Sequence, residues 1–198
     1  VVKDALNGAS GLANTTAAAY DGLQKVMGSM KETITKLADG SITADQRATY
    51  TADLTKMRTQ FNDLVAGANY NGQNLLKTAG TSVSYIADES GTSSLSLTHT
   101  DVAALKTTFD GALDVSTAAN AQTSLTALDT LAKGVATGQA TMAADKRSID
   151  IRKDFMDSKI KAHEEGLGAL VDANLAEESA KLQSLQTRQQ LAVQSLSI

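Results

Sequence analysis

Residues 121–156 read AQTSLTALDTLAKGVATGQATMAADKRSIDIRKDFM, and every seventh position is apolar: Ala121, Leu128, Val135, Met142, Ile149 and Met156. The column continues at the same interval to His163 and Leu170. A repeat held this long is the signature of a helix packed lengthwise on other helices, because seven residues make nearly two helical turns and return to the same face. Nearer the start, Leu6, Ala13, Tyr20, Met27 and Ile34 form one such column, and Ala9, Thr16, Leu23, Met30 and Leu37 form a second. Alternating steps of three and four join the two columns into one stripe. At 1.5 Å per residue this first helix is roughly 50 Å long, more than a compact domain of this size needs. The fold expected is mainly α, an elongated antiparallel helical bundle resembling a coiled-coil rod, with a small β-hairpin region.

Breaks in the repeat give the organisation. Asp39-Gly40 ends the first helix, with Gly40 suited to the left-handed position past a helix end. Thr43 and Gln46 then form a capping box, and Tyr50, Leu54, Met57, Phe61, Leu64 and Ala68 carry a return helix. The run Asn69-Tyr70-Asn71-Gly72-Gln73-Asn74 makes a turn, since Asn and Gly tolerate positive φ. Residues 78–117 are rich in Ser, Thr and Gly. Within them Ser82–Ile86 and Ser94–Thr100 alternate in period two around Asp88-Glu89-Ser90-Gly91, as a hairpin does, whereas Leu105–Leu113 is ambiguous. The expected divisions are 1–77, two helices and the Asn-Gly turn; 78–117, a variable Ser/Thr-rich segment; 118–171, the long helix; and 172–198, an assembly segment. Gly166, Gly168 and Asp172-Ala173-Asn174 suggest a hinge between the last two.

Composition agrees. Of 198 residues only 4% are aromatic, and Trp, Pro and Cys are absent, so thin helical packing with small side chains suits the chain better than a broad globular core. The Met residues 27, 30, 57, 142 and 156 fall on or near the seam and fill it where aromatics are few. A net charge of −4 without a basic run gives no footprint for nucleic acid. No apolar run approaches the roughly 20 residues of a membrane span, so membrane insertion is not expected. The chain starts without Met and ends in mid-pattern, which suggests a fragment of something longer.

Three segments together resemble flagellins, specifically the short flagellins of alphaproteobacteria. The first is Leu12–Glu32 followed by Arg58-Thr59-Gln60-Phe61-Asn62 and Ala68-Asn69-Tyr70-Asn71-Gly72-Gln73-Asn74-Leu75-Leu76. The second is Leu170–Gln183, LVDANLAEESAKLQ, and the third is Leu185-Gln186-Thr187-Arg188-Gln189-Gln190-Leu191 with Gln194–Ile198. The resemblance covers nearly the whole chain, with 78–120 matching only in character. It implies a structural subunit of the extracellular flagellar filament, exported through the type III channel, self-assembling and supporting motility. It also implies an export chaperone and hook-junction proteins as partners. The family's extreme terminal helices lie outside this sequence, so the 198 residues alone are expected to stay monomeric and soluble.

The resemblance also suggests contact residues. In many flagellins the first helix carries a segment read by a mammalian innate receptor, and it aligns with Gln24-Lys25-Val26-Met27-Gly28-Ser29, where this sequence departs from the family pattern. Gln24, Lys25, Met27 and Ser29 are therefore candidates for a partner-binding segment with weak or absent receptor activation. Arg58, Asn71, Asp172, Glu177 and Glu178 are candidates for subunit contacts. Arg47, Arg58, Arg147 and Arg152 are either hydrated or paired with carboxylates of a neighbouring subunit.

No catalytic, cofactor or metal site is expected, and the chain is not expected to be an enzyme. His163 is followed by Glu164 and Glu165 but sits in the seam column without a second His at ligand spacing. Asp39–Asp45 alternates oxygen-bearing residues around Gly40, yet lacks the closing bidentate Glu of a calcium loop. Glu177 and Glu178 have Lys181 one turn on and read as a solvated face. One alternative is a surface adhesin or glycan-binding helical protein using 78–117, against which stands the single aromatic there, Tyr85, apart from Phe109 of the ambiguous stretch. Another is a helical signalling or secretion-tip protein.

Overall fold

A computed structural model describes residues 2–196. Val1, Ser197 and Ile198, parts of the first and last segments expected from sequence, lie outside the described residues. The elements run α1 (Val2–Leu37), α2 (Ala44–Gly67), β1 (Val83–Ile86), β2 (Ser94–Leu97), α3 (Val102–Ala112) and α4 (Ala118–Leu196). The chain divides into two units, one through Lys153 and one from Asp154.

In the first unit both columns of α1 are buried, from Leu6 and Ala9 to Ile34 and Leu37. The columns of α4 and α1 meet antiparallel. Lys31 pairs with Asp129 at 3.0 Å, and further along Gln139 donates to Asp21 at 2.9 Å. On α2, Leu54, Phe61 and Val65 are buried while Tyr50, Met57 and Leu64 are half-buried, so this helix covers α1 with a narrower stripe. Its start is the expected capping box: the Thr43 hydroxyl accepts from the Gln46 amide at 3.2 Å, and the Thr43 amide donates to the Gln46 side chain at 2.9 Å. The hairpin pairs Val83 with Leu97 and Ile86 with Ser94, antiparallel. Its turn is held by Asp88, whose carboxylate accepts from the amides of Thr92 and Ser93, each at 3.0 Å.

The stretch 105–113, ambiguous by pattern, lies largely in α3. Asp101 caps that helix by accepting from the Ala104 amide at 2.8 Å, and Val102 and Phe109 are its buried residues with Lys106.

Three local expectations need correction. Gly40 does not take a left-handed conformation; positive φ among glycines occurs at Gly72 and Gly91 in the described residues. The corner after α1 is instead made by Asp39, whose carboxylate accepts from both the amide and the hydroxyl of Ser41 at 2.8 Å. Some glycines inside helices serve close approach. A Cβ on Gly11 would collide with the Tyr70 ring, and one on Gly138 with the Tyr20 hydroxyl and Thr100. Finally, α4 runs unbroken through Gly166, Gly168 and Asp172-Ala173-Asn174. A mid-helix glycine costs only about 1 kcal/mol relative to Ala, and no Pro is present to remove a hydrogen bond.

Candidate functional site

Two surfaces gather the residues singled out by sequence. On the first unit, the corner after α2 is a two-residue turn. Tyr70 and Gln73 exchange backbone hydrogen bonds of 2.9 and 3.0 Å across Asn71 (φ 50°) and Gly72 (φ 79°), both left-handed. Asn74 is buried below the turn. Its amide donates to the Val65 carbonyl at 2.7 Å and its oxygen accepts from the Leu76 amide at 2.8 Å, which fastens the end of α2. Tyr70 then lies in the notch at Gly11, and Tyr85 of β1 comes within contact range of Gly8. Burial raises the Tyr85 phenol above its ordinary value, with Tyr70 adding to the effect. Asn71 itself is exposed at the tip.

Arg58 is not a free surface cation. Its Nε donates to Asp110 of α3 at 2.8 Å, and the buried Lys106 donates to the other oxygen of the same carboxylate. Burial of Asp110 opposes its ionisation, but the Arg58 and Lys106 donors outweigh that and hold its carboxyl below the ordinary carboxylate range. Arg58 therefore locks α3 to α2 within one chain, which corrects both readings given from sequence. Arg47 is likewise internal, donating to the carbonyls of Leu37 at 2.8 Å and Val115 at 3.0 Å. Arg152 reaches the Ser93 hydroxyl at 3.1 Å.

The segment 24–29 lies in the middle of α1. Lys25, Gly28 and Ser29 are exposed, while Gln24 donates to Gln139 of α4 at 3.3 Å. Met27 is 3% exposed, so its side chain belongs to the bundle core and cannot serve as a surface contact.

In the second unit the helical repeat meets water. His163 is exposed, and so are Leu167, Leu170, Val171, Leu175, Leu182, Leu185, Leu191 and Val193. Leu170 is 70% exposed although it continues the column that is buried through Met156. Several of these recur at steps of three, four or seven residues, among them Leu167, Leu170, Val171, Leu175, Leu182 and Leu185, so they are grouped along the helix rather than scattered singly. Asp172, Glu177 and Glu178 are all exposed here, with Lys181 bridging Glu177 at 3.2 Å and Glu178 at 3.8 Å. Such exposed pairs are worth little to stability. Leu170 and His163 continue the seam column in the sequence yet are exposed, because periodicity tells that a face is apolar and not what covers it.

Among the described residues no group of three or more His, Asp or Glu could hold a metal ion, and no helix is long and apolar enough to cross a membrane.

Comparison with known proteins completes the picture. Residues 1–82 match the bacterial flagellin N-terminal helical region. Over its whole length the chain is 31% identical to flagellin FljM of Caulobacter vibrioides, covering 72% of that protein, and 34% identical to a flagellin of Brucella melitensis, covering 73% of it. The fold superposes on the crystal structure of Bacillus cereus flagellin with a TM-score of 0.70, at 22% identity, over 78% of this chain and 89% of that one. Relatives at least 31% identical match this chain from end to end and are themselves covered over more than two thirds of their length, and the chain belongs to the flagellin family.

Proposed function

We propose that the apolar stripe of α4 from Leu167 to Val193 is where this flagellin meets other copies of itself. The protein is a structural subunit of the bacterial flagellar filament, and its role is mechanical rather than enzymatic. The observation that carries the stripe's role is the change along one heptad column, buried from Ala121 to Met156 and exposed at Leu170. Burying such a face is worth roughly 25 cal/mol per Å² of apolar surface, enough for several leucines to dominate an assembly contact.

The filament lies outside the cell, and the subunit reaches it by type III export. An export chaperone is the natural guard for the stripe before assembly, and hook-junction proteins are the neighbours of the first subunits to polymerise. The exposed acidic residues Asp172, Glu177 and Glu178 flank the stripe and would set register against a neighbour. Asn71, at the tip of its turn, is a second candidate contact. The reading predicts that Leu175→Glu combined with Leu182→Glu, expressed in a flagellin-deficient alphaproteobacterium, exports subunits that form no filaments in electron micrographs. Normal filaments would overturn the role of the stripe.

For the segment 24–29, the exposed surface consists of Lys25, Gly28 and Ser29, with Gln24 partly occupied by Gln139. We expect weak or absent activation of the mammalian innate receptor. A reporter cell line responding at ordinary flagellin doses would remove that expectation.

A further inference from the structure

Two asparagines in this chain precede glycine, Asn7-Gly8 and Asn71-Gly72. Such pairs carry a reaction of their own, because a glycine has no side chain to shield its amide nitrogen from the asparagine side-chain carbonyl carbon just before it. The two pairs sit in opposite settings. Asn7 and Gly8 lie in α1, where the amide of Gly8 belongs to the helical hydrogen-bond ladder. Asn71 and Gly72 are exposed at the tip of a turn, and the Gly72 amide donates to a single side chain, the Asn69 carboxamide oxygen, at 3.0 Å.

We propose that Asn71 is a site of spontaneous deamidation and that the Asn69 carboxamide is the latch that sets its rate. In the reaction the Gly72 nitrogen gives up its proton to hydroxide or water and attacks Cγ of Asn71. The bond from Cγ to the side-chain nitrogen breaks, and ammonia leaves as a five-membered succinimide closes. Water then adds to one of the two ring carbonyls and reopens the ring as aspartate or isoaspartate. The sum is an amide and a water converted to a carboxylate and ammonium, with no change of oxidation state. While Asn69 holds the Gly72 hydrogen, that nitrogen neither ionises nor turns toward Cγ.

The product has a structural consequence. Isoaspartate routes the main chain through the side-chain carbon and lengthens the turn, so the paired bonds between Tyr70 and Gln73 cannot both survive. Tyr70 then loses its fixed seat in the Gly11 notch. A polymer outside the cell that is not rebuilt would accumulate this change at one defined corner.

The test is peptide mapping by mass spectrometry of the 198-residue chain held at mildly alkaline pH, comparing Asn71 with Asn7 as an internal reference. In urea both should convert at comparable rates. In the folded chain Asn71 should convert at least severalfold faster than Asn7. Asn69→Ala should raise the rate at Asn71 severalfold while leaving Asn7 unchanged, and Asn69→Asp, which keeps an acceptor oxygen, should stay near the parent rate. Circular dichroism confirms that each variant retains its helices. The proposal is overturned if Asn71 stays amidated in urea, if it converts no faster than Asn7 in the folded chain, or if Asn69→Ala changes nothing.

Discussion

Before Lys153 the helix α4 buries Leu128, Leu131, Val135, Met142 and Ile149; beyond Asp154 the same helix carries Leu167, Leu170, Leu175, Leu182 and Leu185 into solvent. The secondary structure is continuous, and apolar residues still recur, although the seven-residue column gives way to Glu177 after Leu170. What differs is the company. Upstream, α1 lies antiparallel beside the column, and packing inside one chain uses up the face. Downstream the apolar side chains are exposed, and this is the face proposed to meet other copies. Substitutions should separate the buried part, which holds the fold, from the exposed part, for which an assembly role is proposed.

The largest contrast lies in core packing. Phe61 is fully buried, so Phe61→Ala should lower the unfolding free energy of the chain by about 3–5 kcal/mol, measured by urea denaturation. Asp110→Ala removes the shared partner of Arg58 and the buried Lys106, and should cost about 2 kcal/mol. The folded carboxyl titrates below its unfolded value, so the contribution of Asp110 is present above the unfolded value of about 4 and disappears as pH falls through the folded one. Asp110→Asn should therefore flatten that part of the stability curve below pH about 4.

Glycines sharpen the comparison further. Gly138→Ala drives a methyl group against the Tyr20 hydroxyl and Thr100 and should destabilise by about 1–3 kcal/mol. Gly166→Ala meets open space in the second unit and should stabilise its helix by up to about 1 kcal/mol, seen as greater helicity on heating. The smallest effect on folding is expected at Leu175→Ala, within about 0.5 kcal/mol of the parent chain, even though filament formation should weaken. A loss of stability at Leu175 comparable with that at Phe61 would break the distinction between the two parts of α4.

The heptad columns were legible in the sequence because they depend only on spacing, and so were the capping box of Thr43 with Gln46, the Asn71-Gly72 turn and the hairpin. These features are local, fixed by residues a few positions apart. The partner of Arg58 was not legible, since Asp110 lies 52 residues away and only the docking of α3 brings it near. The roles of Gly11 and Gly138 were not legible for a related reason: the Tyr70 ring and the Tyr20 hydroxyl that need their space come from distant segments. The expected hinge near Gly166 is not a break in α4, because glycine keeps its backbone N–H and, with no Pro present, the helical hydrogen bonds continue through it. Of the candidate contacts, Lys25, Ser29, Asn71, Asp172, Glu177 and Glu178 lie on surfaces, whereas Met27 and Arg58 are spent within the chain.

Arg47 deserves a mechanical reading. Its one guanidinium grips the last carbonyl of α1 and the carbonyl of Val115, just ahead of α4. Tension applied along either helix is therefore passed to the other at that end without travelling through the hairpin.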